Sequence, residues 1–268
     1  MQISGLAFYP VKSGAAISTE QAVVYDHGLA GDRSLMLIDD TGTFVSQRKL
    51  PEMAKLFVRR LDEETYELIW EGASIIWSLN FEDSKKVKVW KDELLAYDQG
   101  DDVAEVVSLA FGKSLRVVAI GPESRRPVNP KRTDGEVLHH FADGYPYLFA
   151  SMTSLADLND KIPGDESVPM NRFRPNIIVE GLSKPFMEDE IKRVRIGSAV
   201  FRFVSPCARC TVTTTDQSNG KVYKEPLVTL GKYRYLASEK GICFGMNAIL
   251  EEGSGTTIQI GDALDILD

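Results

Sequence analysis

The first hundred residues contain short apolar, β-branched and aromatic runs that are separated by turn-forming residues. This spacing is typical of antiparallel β structure. We expect a turn at Asp39-Asp40-Thr41-Gly42 and predict that the strands close a barrel or a sandwich. The runs that predict strands are MQISGLAF before Pro10, SLMLI at 34–38, TFVSQ at 43–47, KLFVRRL, TYELIW and KVKVW.

Two segments show the helical period instead. We expect a helix between Asp101 and Gly112, with Asp101 or Asp102 as its N-cap and Gly112 at its end. A second helix should run from Thr153 to about Lys161 behind a Ser or Thr cap. The apolar residues with helical spacing are Val103, Val106, Val107, Ala110 and Phe111, and then Leu155, Leu158 and Ile162.

The second half of the chain also predicts mainly strands. Residues 121–146 lack clear periodicity and are rich in Arg, Pro, His and Gly, which predicts a long loop of the kind that often has a function. We therefore expect a mainly β fold with a few helices, in which an N-terminal β domain (1–120) packs against a second domain (121–268). The later strand-like runs are NIIVEG, RVRIG, AVFRFV, TVTTTD and TIQIGDALDIL.

Composition and charge narrow the functional classes. The 268 residues are 43% hydrophobic and carry a formal net charge of −8, which disfavours nucleic acid and anionic membranes as partners. No apolar run approaches the ~20 residues of a membrane-spanning helix. Three cysteines and no signal-peptide pattern indicate the cytoplasm. An anionic ligand would need a local cluster of basic groups.

The sharpest chemical feature is the sequence Cys207-Ala208-Arg209-Cys210, which follows the run AVFRFV. A thiol beside an arginine ionises more easily, and the thiolate is the form that binds soft metals. A zinc site would need a second Cys or His pair at ligand spacing, and a thioredoxin-type pair would open a helix, so we disfavour both. Two thiols buried in a β core remain an alternative.

Basic groups occur in several other motifs. Lys12 and Ser13 follow a strand in Tyr-Pro-Val-Lys-Ser-Gly, and Arg174 and Asn176 lie in Asn-Arg-Phe-Arg-Pro-Asn. Together with Arg33 they could neutralise a phosphate. Solvated charges and salt bridges are the alternatives. Hydrolase-elbow, Rossmann and zinc-protease motifs do not occur, and we assign no chemistry to the three histidines.

A series of motifs keeps its order over nearly the whole length of the chain. The motifs are YPVKS, GLAGDRSLMLID, SLADLN, NRFRPNIIVEG, CARCTVTTTD, GKVYKEPLVTL and IQIGDALDIL. In these motifs the chain resembles the MOSC family, and more closely the mitochondrial amidoxime-reducing components and their bacterial relatives. The resemblance implies a MOSC β-barrel packed with an N-terminal β domain.

The resemblance also implies a cofactor and the residues that hold it. The family binds molybdenum through a pyranopterin dithiolene with a terminal phosphate, and the second cysteine of the motif, Cys210, matches the metal ligand. The positions that match cofactor contacts are Lys12, Ser13, Arg33, Arg174, Asn176, Ala208, Arg209 and, as a weaker match, Ser151. A phosphate and a dithiolene metal require such cations, amide donors and one soft ligand.

We therefore expect a molybdenum-dependent reductase of hydroxylamines, amidoximes or N-hydroxylated bases, with a role in their detoxification. Some relatives carry a four-cysteine ferredoxin-like domain that has no counterpart here, so electrons should come from a separate ferredoxin-, cytochrome- or flavin-type protein. The pyridoxal-phosphate domain of the longer sulfurases has no counterpart either, so the resemblance does not imply sulfurase activity. The alternatives are a non-catalytic carrier of the cofactor or its sulfur, and a β-barrel protein with a vestigial site.

Overall fold

The computed structural model describes residues 1–164 and 166–267. Over these residues the chain is mainly β, as its sequence predicts. The strands are β1 Gln2–Phe8, β2 Ile17–Thr19, β3 Gln21–Tyr25, β4 Gly28–Leu29, β5 Leu35–Ile38, β6 Phe57–Arg60, β7 Thr65–Trp70, β8 Ala73–Ser78, β9 Ser84–Val89, β10 Asp92–Asp98, β11 Arg116–Ala119, β12 Tyr147–Ser151, β13 Ile177–Glu180, β14 Arg193–Ile196, β15 Ala199–Ala208, β16 Tyr235–Leu236, β17 Gly241–Glu252, β18 Thr257–Gln259 and β19 Asp265–Ile266.

Helices are few in the described residues. The α-helices are α1 Asp101–Phe111, α2 Met152–Lys161 and the single turn α3 Leu227–Leu230, and 3-10 turns occur at Pro51–Lys55, Met170–Phe173, Met187–Glu190 and Thr211–Thr214. None of these helices is long and apolar enough to cross a membrane.

The largest sheet runs in the order β19-β14-β15-β17-β12-β13-β1-β2, with β16 at the side of β17. Its buried face packs aromatic rings edge to face, since the Phe201 ring lies 5.1 Å from that of Tyr147 and 5.2 Å from that of Phe149. Such buried rings contribute much of the hydrophobic stabilisation of a core. The far end of β15, where the Cys207–Cys210 segment begins, is held by its pairing with β17, in which Pro206 faces Met246 and Ala208 faces Cys243.

Two smaller sheets, β5-β11-β10-β9 and β6-β7-β8, form most of the N-terminal half. Their apolar sides pack with α1, whose Val103 and Val107 are buried with Leu68 and Val117. The chain's first strands lie elsewhere, because β1 pairs with β13 and β3 pairs with β18. The division of the chain at residue 120 stays a prediction.

Both predicted helices are confirmed, but the cap of the first differs from its prediction. Gly100 occupies the N-cap position of α1, and Asp101 and Asp102 lie in its first turn. The chain just before the helix is held by Asp98, because its Oδ1 accepts a hydrogen bond of 2.9 Å from the Gly100 N–H. Gly112 ends the helix in the left-handed conformation at φ 61°, which glycine adopts without strain.

Two predicted strands are absent from the described residues. TFVSQ forms only isolated bridges, because Thr43 and Phe44 pair with different strands and no ladder can extend. TVTTTD forms a 3-10 turn over Thr211–Thr214. There the Thr213 hydroxyl donates to the Cys210 carbonyl at 2.9 Å, a local bond that competes with strand pairing.

Candidate functional site

A cleft of about 660 Å³ brings together residues from distant parts of the chain. Seven of the nine predicted site residues line it, namely Lys12, Ser13, Arg33, Arg174, Asn176, Arg209 and Cys210. Four of these seven are cationic, in a protein whose net charge is −8. The cleft therefore supplies the local positive charge that an anionic ligand would need.

Its two cysteines have different surroundings. Both thiols are partly exposed, but the Cys207 Sγ accepts a hydrogen bond of 2.8 Å from the Arg209 Nη1. The Cys210 Sγ makes no hydrogen bond to any described residue. Cys210 caps the 3-10 turn Thr211–Thr214 through its backbone, so its side chain remains available to a ligand.

Arg174 lies deep in the wall of the cleft. It ends the 3-10 turn Met170–Phe173 in the left-handed conformation at φ 55°, and 7% of its surface is exposed. Its Nη1 donates to the Gly14 carbonyl at 2.7 Å, whereas its Nη2 has no partner within the described residues. Burial lowers the pKa of Arg174 to about 10, so the guanidinium stays charged at neutral pH and retains an unused donor.

Arg33 is held from two sides. Its Nη1 donates to Asp32 Oδ2 at 2.6 Å and to Asn176 Oδ1 at 3.2 Å. Burial disfavours its charged form, but the charge and hydrogen bond of Asp32, together with Tyr9 and Asp143, outweigh this and raise the pKa of Arg33. The Tyr9 ring lies 4.4 Å from the Arg33 guanidinium and 4.1 Å from that of Arg174. These contacts fix two cations at one side of the cleft.

Lys12 also lines the cleft, together with Asp143, a residue that was not among the predicted site residues. The Lys12 Nζ donates to the Phe141 carbonyl at 2.8 Å and to the Asp143 carboxylate. Burial lowers the pKa of Lys12, and Asp143 opposes this shift. Burial would raise the pKa of Asp143, but the charge of Lys12 and its hydrogen bond lower it. The two side chains form an ion pair in the wall of the cleft.

The Lys12–Ser13 loop is tied to the segment after Cys210. Ser13 has φ 64°, and its carbonyl accepts a hydrogen bond of 2.8 Å from the buried Gln47 Nε2. Gln47 and Gln217 in turn exchange two amide hydrogen bonds of 3.1 and 3.0 Å. The loop is thus positioned by side chains that sequence spacing does not reveal.

A second cavity adjoins the cleft. The two share Asp143, Gly144, Tyr145, Cys207 and Asn247. Ala208, a predicted cofactor contact, is exposed and lines only this second cavity. The walls of this second cavity come mainly from residues 126–145. These residues belong to the irregular stretch for which the sequence predicts a functional loop.

Ser151 is placed away from the cleft. It is fully buried and is not among the described residues that line either cavity. Its hydroxyl caps α2, because Oγ accepts hydrogen bonds of 3.1 Å from Thr153 N and 3.4 Å from Ser154 N. The structure thus gives Ser151 a structural role that differs from the predicted contact.

Replacement of Ser151 by alanine is therefore expected to lower the free energy of unfolding by about 1 kcal/mol, the usual cost of a lost N-cap. Urea denaturation followed by circular dichroism measures this change. An unchanged midpoint would contradict the capping role.

The described residues contain no group of three or more His, Cys, Asp or Glu side chains arranged to hold a metal ion. This disfavours the zinc alternative for Cys207 and Cys210. The third cysteine, Cys243, is buried, and burial raises its pKa to about 11. A metal held by Cys210 would need most of its ligands from a bound group.

Comparison with known proteins gives two family matches. The model of the MOSC N-terminal beta barrel domain matches residues 1–114, and that of the MOSC domain matches residues 136–265. A molybdenum cofactor sulfurase from Oryza sativa subsp. japonica is 31% identical over 96% of this chain and 34% of its own length. One from Drosophila grimshawi is 28% identical over 86% of the chain and 30% of its own length.

A shorter relative is covered more completely. Mitochondrial amidoxime-reducing component 1 from Mus musculus is 29% identical over 99% of this chain and 82% of its own length. The chain spans only about a third of the length of the sulfurases that it matches.

Proposed function

Because this chain belongs to the MOSC domain family and carries a MOSC N-terminal β-barrel domain, we propose that its cleft binds a molybdenum cofactor and that the protein reduces N-hydroxylated compounds. The observation that carries the proposal is the Cys210 thiol, which has no hydrogen-bond partner among the described residues and shares a cleft with four cations. The similarity to the amidoxime-reducing component over nearly the whole chain supports the reductase assignment.

The residues present suit such a cofactor. A thiolate is a soft ligand for molybdenum, and a terminal phosphate favours guanidinium and ammonium donors. Two guanidinium nitrogens, Arg174 Nη2 and Arg209 Nε, are buried without a partner in the described residues. Buried donors are rarely left unpaired, which is consistent with a bound group that completes their hydrogen bonding.

We assign each residue a role on this basis. Cys210 would ligate the metal, Arg174 and Arg33 would hold the phosphate, and Lys12 would add a further positive charge to the cleft. Arg209 orients the Cys207 thiol, to which its Nη1 donates a hydrogen bond. Its Nη2 donates a second hydrogen bond of 2.6 Å to the Phe173 carbonyl. When bound, the cofactor supplies two-electron redox chemistry. The protein's own residues would bind the cofactor, orient it and neutralise the charge of its phosphate.

The electrons would come from a separate protein of the ferredoxin, cytochrome or flavin type. Reduction of a hydroxylamine consumes two electrons and two protons, breaks the N–O bond and releases water. We propose detoxification of N-hydroxylated bases as the role. We also propose a cytoplasmic location, since the three cysteines are unpaired in the structure and a reducing compartment keeps them so.

A carrier of the cofactor or of its sulfur is the second candidate. Its support is that several relatives are named molybdenum cofactor sulfurases. A carrier needs the same cleft but no route for an N-hydroxylated substrate or for electrons. Turnover separates the two candidates.

The test is to purify the protein from cells that make the cofactor, measure its molybdenum content, and assay reduction of N-hydroxycytosine with a reduced viologen dye. Bound metal with turnover is the expected result. Metal without turnover would favour the carrier. Absence of both, with a Cys210→Ser variant that behaves like the wild type, would favour a vestigial site.

A further inference from the structure

The second cavity, which we call the outer chamber, has a lining that differs from that of the cleft. Most of its charged side chains pair with an opposite charge. Arg126 Nε lies 3.0 Å from Asp92 Oδ2, and Arg132 and Glu239 form two hydrogen bonds of 3.2 Å. Asp143, which the cleft also contains, pairs with Lys12. Lys91 is exposed, where solvent screens it.

Uncharged polar groups complete the lining. Asn129, Tyr145, Ser205 and Asn247 line the chamber. His139 is 4% exposed, and its Nδ1 has no partner within the described residues. Burial and the nearby Arg126 lower the pKa of His139 to about 2, so the imidazole is neutral at physiological pH. The chamber therefore offers hydrogen bonds with little net charge.

Its position is suited to substrate entry. The outer chamber shares Cys207 and Asn247 with the cleft, so a molecule in it lies next to the segment that carries Cys210. In the cleft, Arg174 and Arg209 have no carboxylate partner among the described residues, whereas the lining of the chamber contains three cations and three carboxylates. The two cavities are thus suited to different ligands, the first anionic and the second uncharged.

We propose that the outer chamber is the substrate site, and that the Arg132–Glu239 pair makes it selective for uncharged, polar N-hydroxylated compounds. This inference rests on the proposed reductase function. An anionic substrate would find the Arg132 charge already compensated by Glu239, and a cationic one would find the Glu239 charge compensated by Arg132. Neither gains a partner, and each must give up hydration.

Reciprocal variants test the proposal. Glu239→Gln leaves Arg132 uncompensated, and Arg132→Gln leaves Glu239 uncompensated. Arg132 is 38% exposed at its side chain, and partly exposed ion pairs contribute little to stability, so both variants should fold. The substrates are benzamidoximes with a para carboxamide, carboxylate or trimethylammonium group, reduced with a viologen dye.

The wild type should prefer the neutral carboxamide. Glu239→Gln should raise kcat/KM for the carboxylate by roughly tenfold, and Arg132→Gln should do so for the trimethylammonium substrate, through KM rather than kcat. The gain should weaken at high salt. Glu190→Gln is the matched control, because it removes one carboxylate from the exposed Lys184–Glu190 pair outside both cavities.

The outcomes separate this proposal from the reductase function. Unchanged preferences in both variants, or equal shifts in the Glu190→Gln control, would overturn the substrate assignment while dye-driven turnover upheld the reductase. A wild type that already prefers a charged substrate would overturn it as well. A wild type that binds molybdenum but reduces none of the three would count against the reductase function itself.

Discussion

Replacement of Cys210 by serine is expected to remove molybdenum from the protein and to abolish reduction of N-hydroxylated compounds. A serine hydroxyl is a harder ligand and a much weaker acid than a cysteine thiol, so it should hold the metal far less well than the thiolate does. The backbone contacts of Cys210 remain available to serine, including the carbonyl that accepts from Thr213 Oγ1 at 2.9 Å. The loss should therefore arise without unfolding.

Cys207→Ser is the matched control for this experiment. Cys207 lines the same cleft, but its thiol is engaged by Arg209 at 2.8 Å, and a serine hydroxyl can accept the same bond. We expect this variant to keep most of its metal and its turnover. Metal content by mass spectrometry and viologen-driven activity are the measurements. Retention of molybdenum by Cys210→Ser, or equal loss from both variants, would refute the assignment of the ligand.

The cleft residues could be predicted because their motifs sit where strands end. Lys12 follows β1, Arg174 precedes β13 and Cys210 follows β15. Ser13, Arg33 and Arg174 have positive φ angles, which non-glycine residues adopt only where the surrounding contacts hold them. The resemblance to the family supplied the choice among basic residues, since spacing alone left salt bridges and solvated charges open.

Other parts of the site depend on contacts between distant residues. Asp143 reaches Lys12 across 131 positions of sequence, and Gln217 reaches Gln47 across 170. No local pattern marks either pair. Ser151 is the opposite case, because a serine before a helix matched a family contact, whereas in the structure its hydroxyl accepts hydrogen bonds from the backbone N–H groups of Thr153 and Ser154.

The strands of the fold also differ in how well the sequence predicts them. Strands with alternating polarity, such as β7, were predicted well. β17, which pairs with β12, β15 and β16, was not singled out, because its long buried run lacks alternation and periodicity cannot distinguish it from a buried helix. TVTTTD was predicted as a strand from its β-branched residues, but threonine hydroxyls that bond to preceding carbonyls stabilise a turn there.

A second large effect is expected from Arg174→Lys, which keeps the charge but removes the planar pair of donors. Lysine can satisfy either the Gly14 carbonyl, now bonded at 2.7 Å, or a bound phosphate, but it lacks the fork that serves both. Loss of one charge-assisted hydrogen bond weakens binding by about 1.5–3 kcal/mol, or roughly 10- to 150-fold. We therefore expect the variant to release its cofactor on dilution and dialysis, with turnover falling in proportion to the metal lost.

Arg172→Lys is the matched control, two residues earlier in the same motif. Arg172 is buried to a similar extent, with 6% of its surface exposed, and its Nη1 donates to the Thr214 carbonyl at 2.8 Å. It does not line the cleft, so its replacement should reduce stability without changing the rate of cofactor loss. Molybdenum retained after dialysis, measured beside the urea midpoint, separates the two effects. If both variants lost metal at the same rate, Arg174 would affect cofactor retention only by stabilising the fold, and its assignment to the phosphate would be wrong.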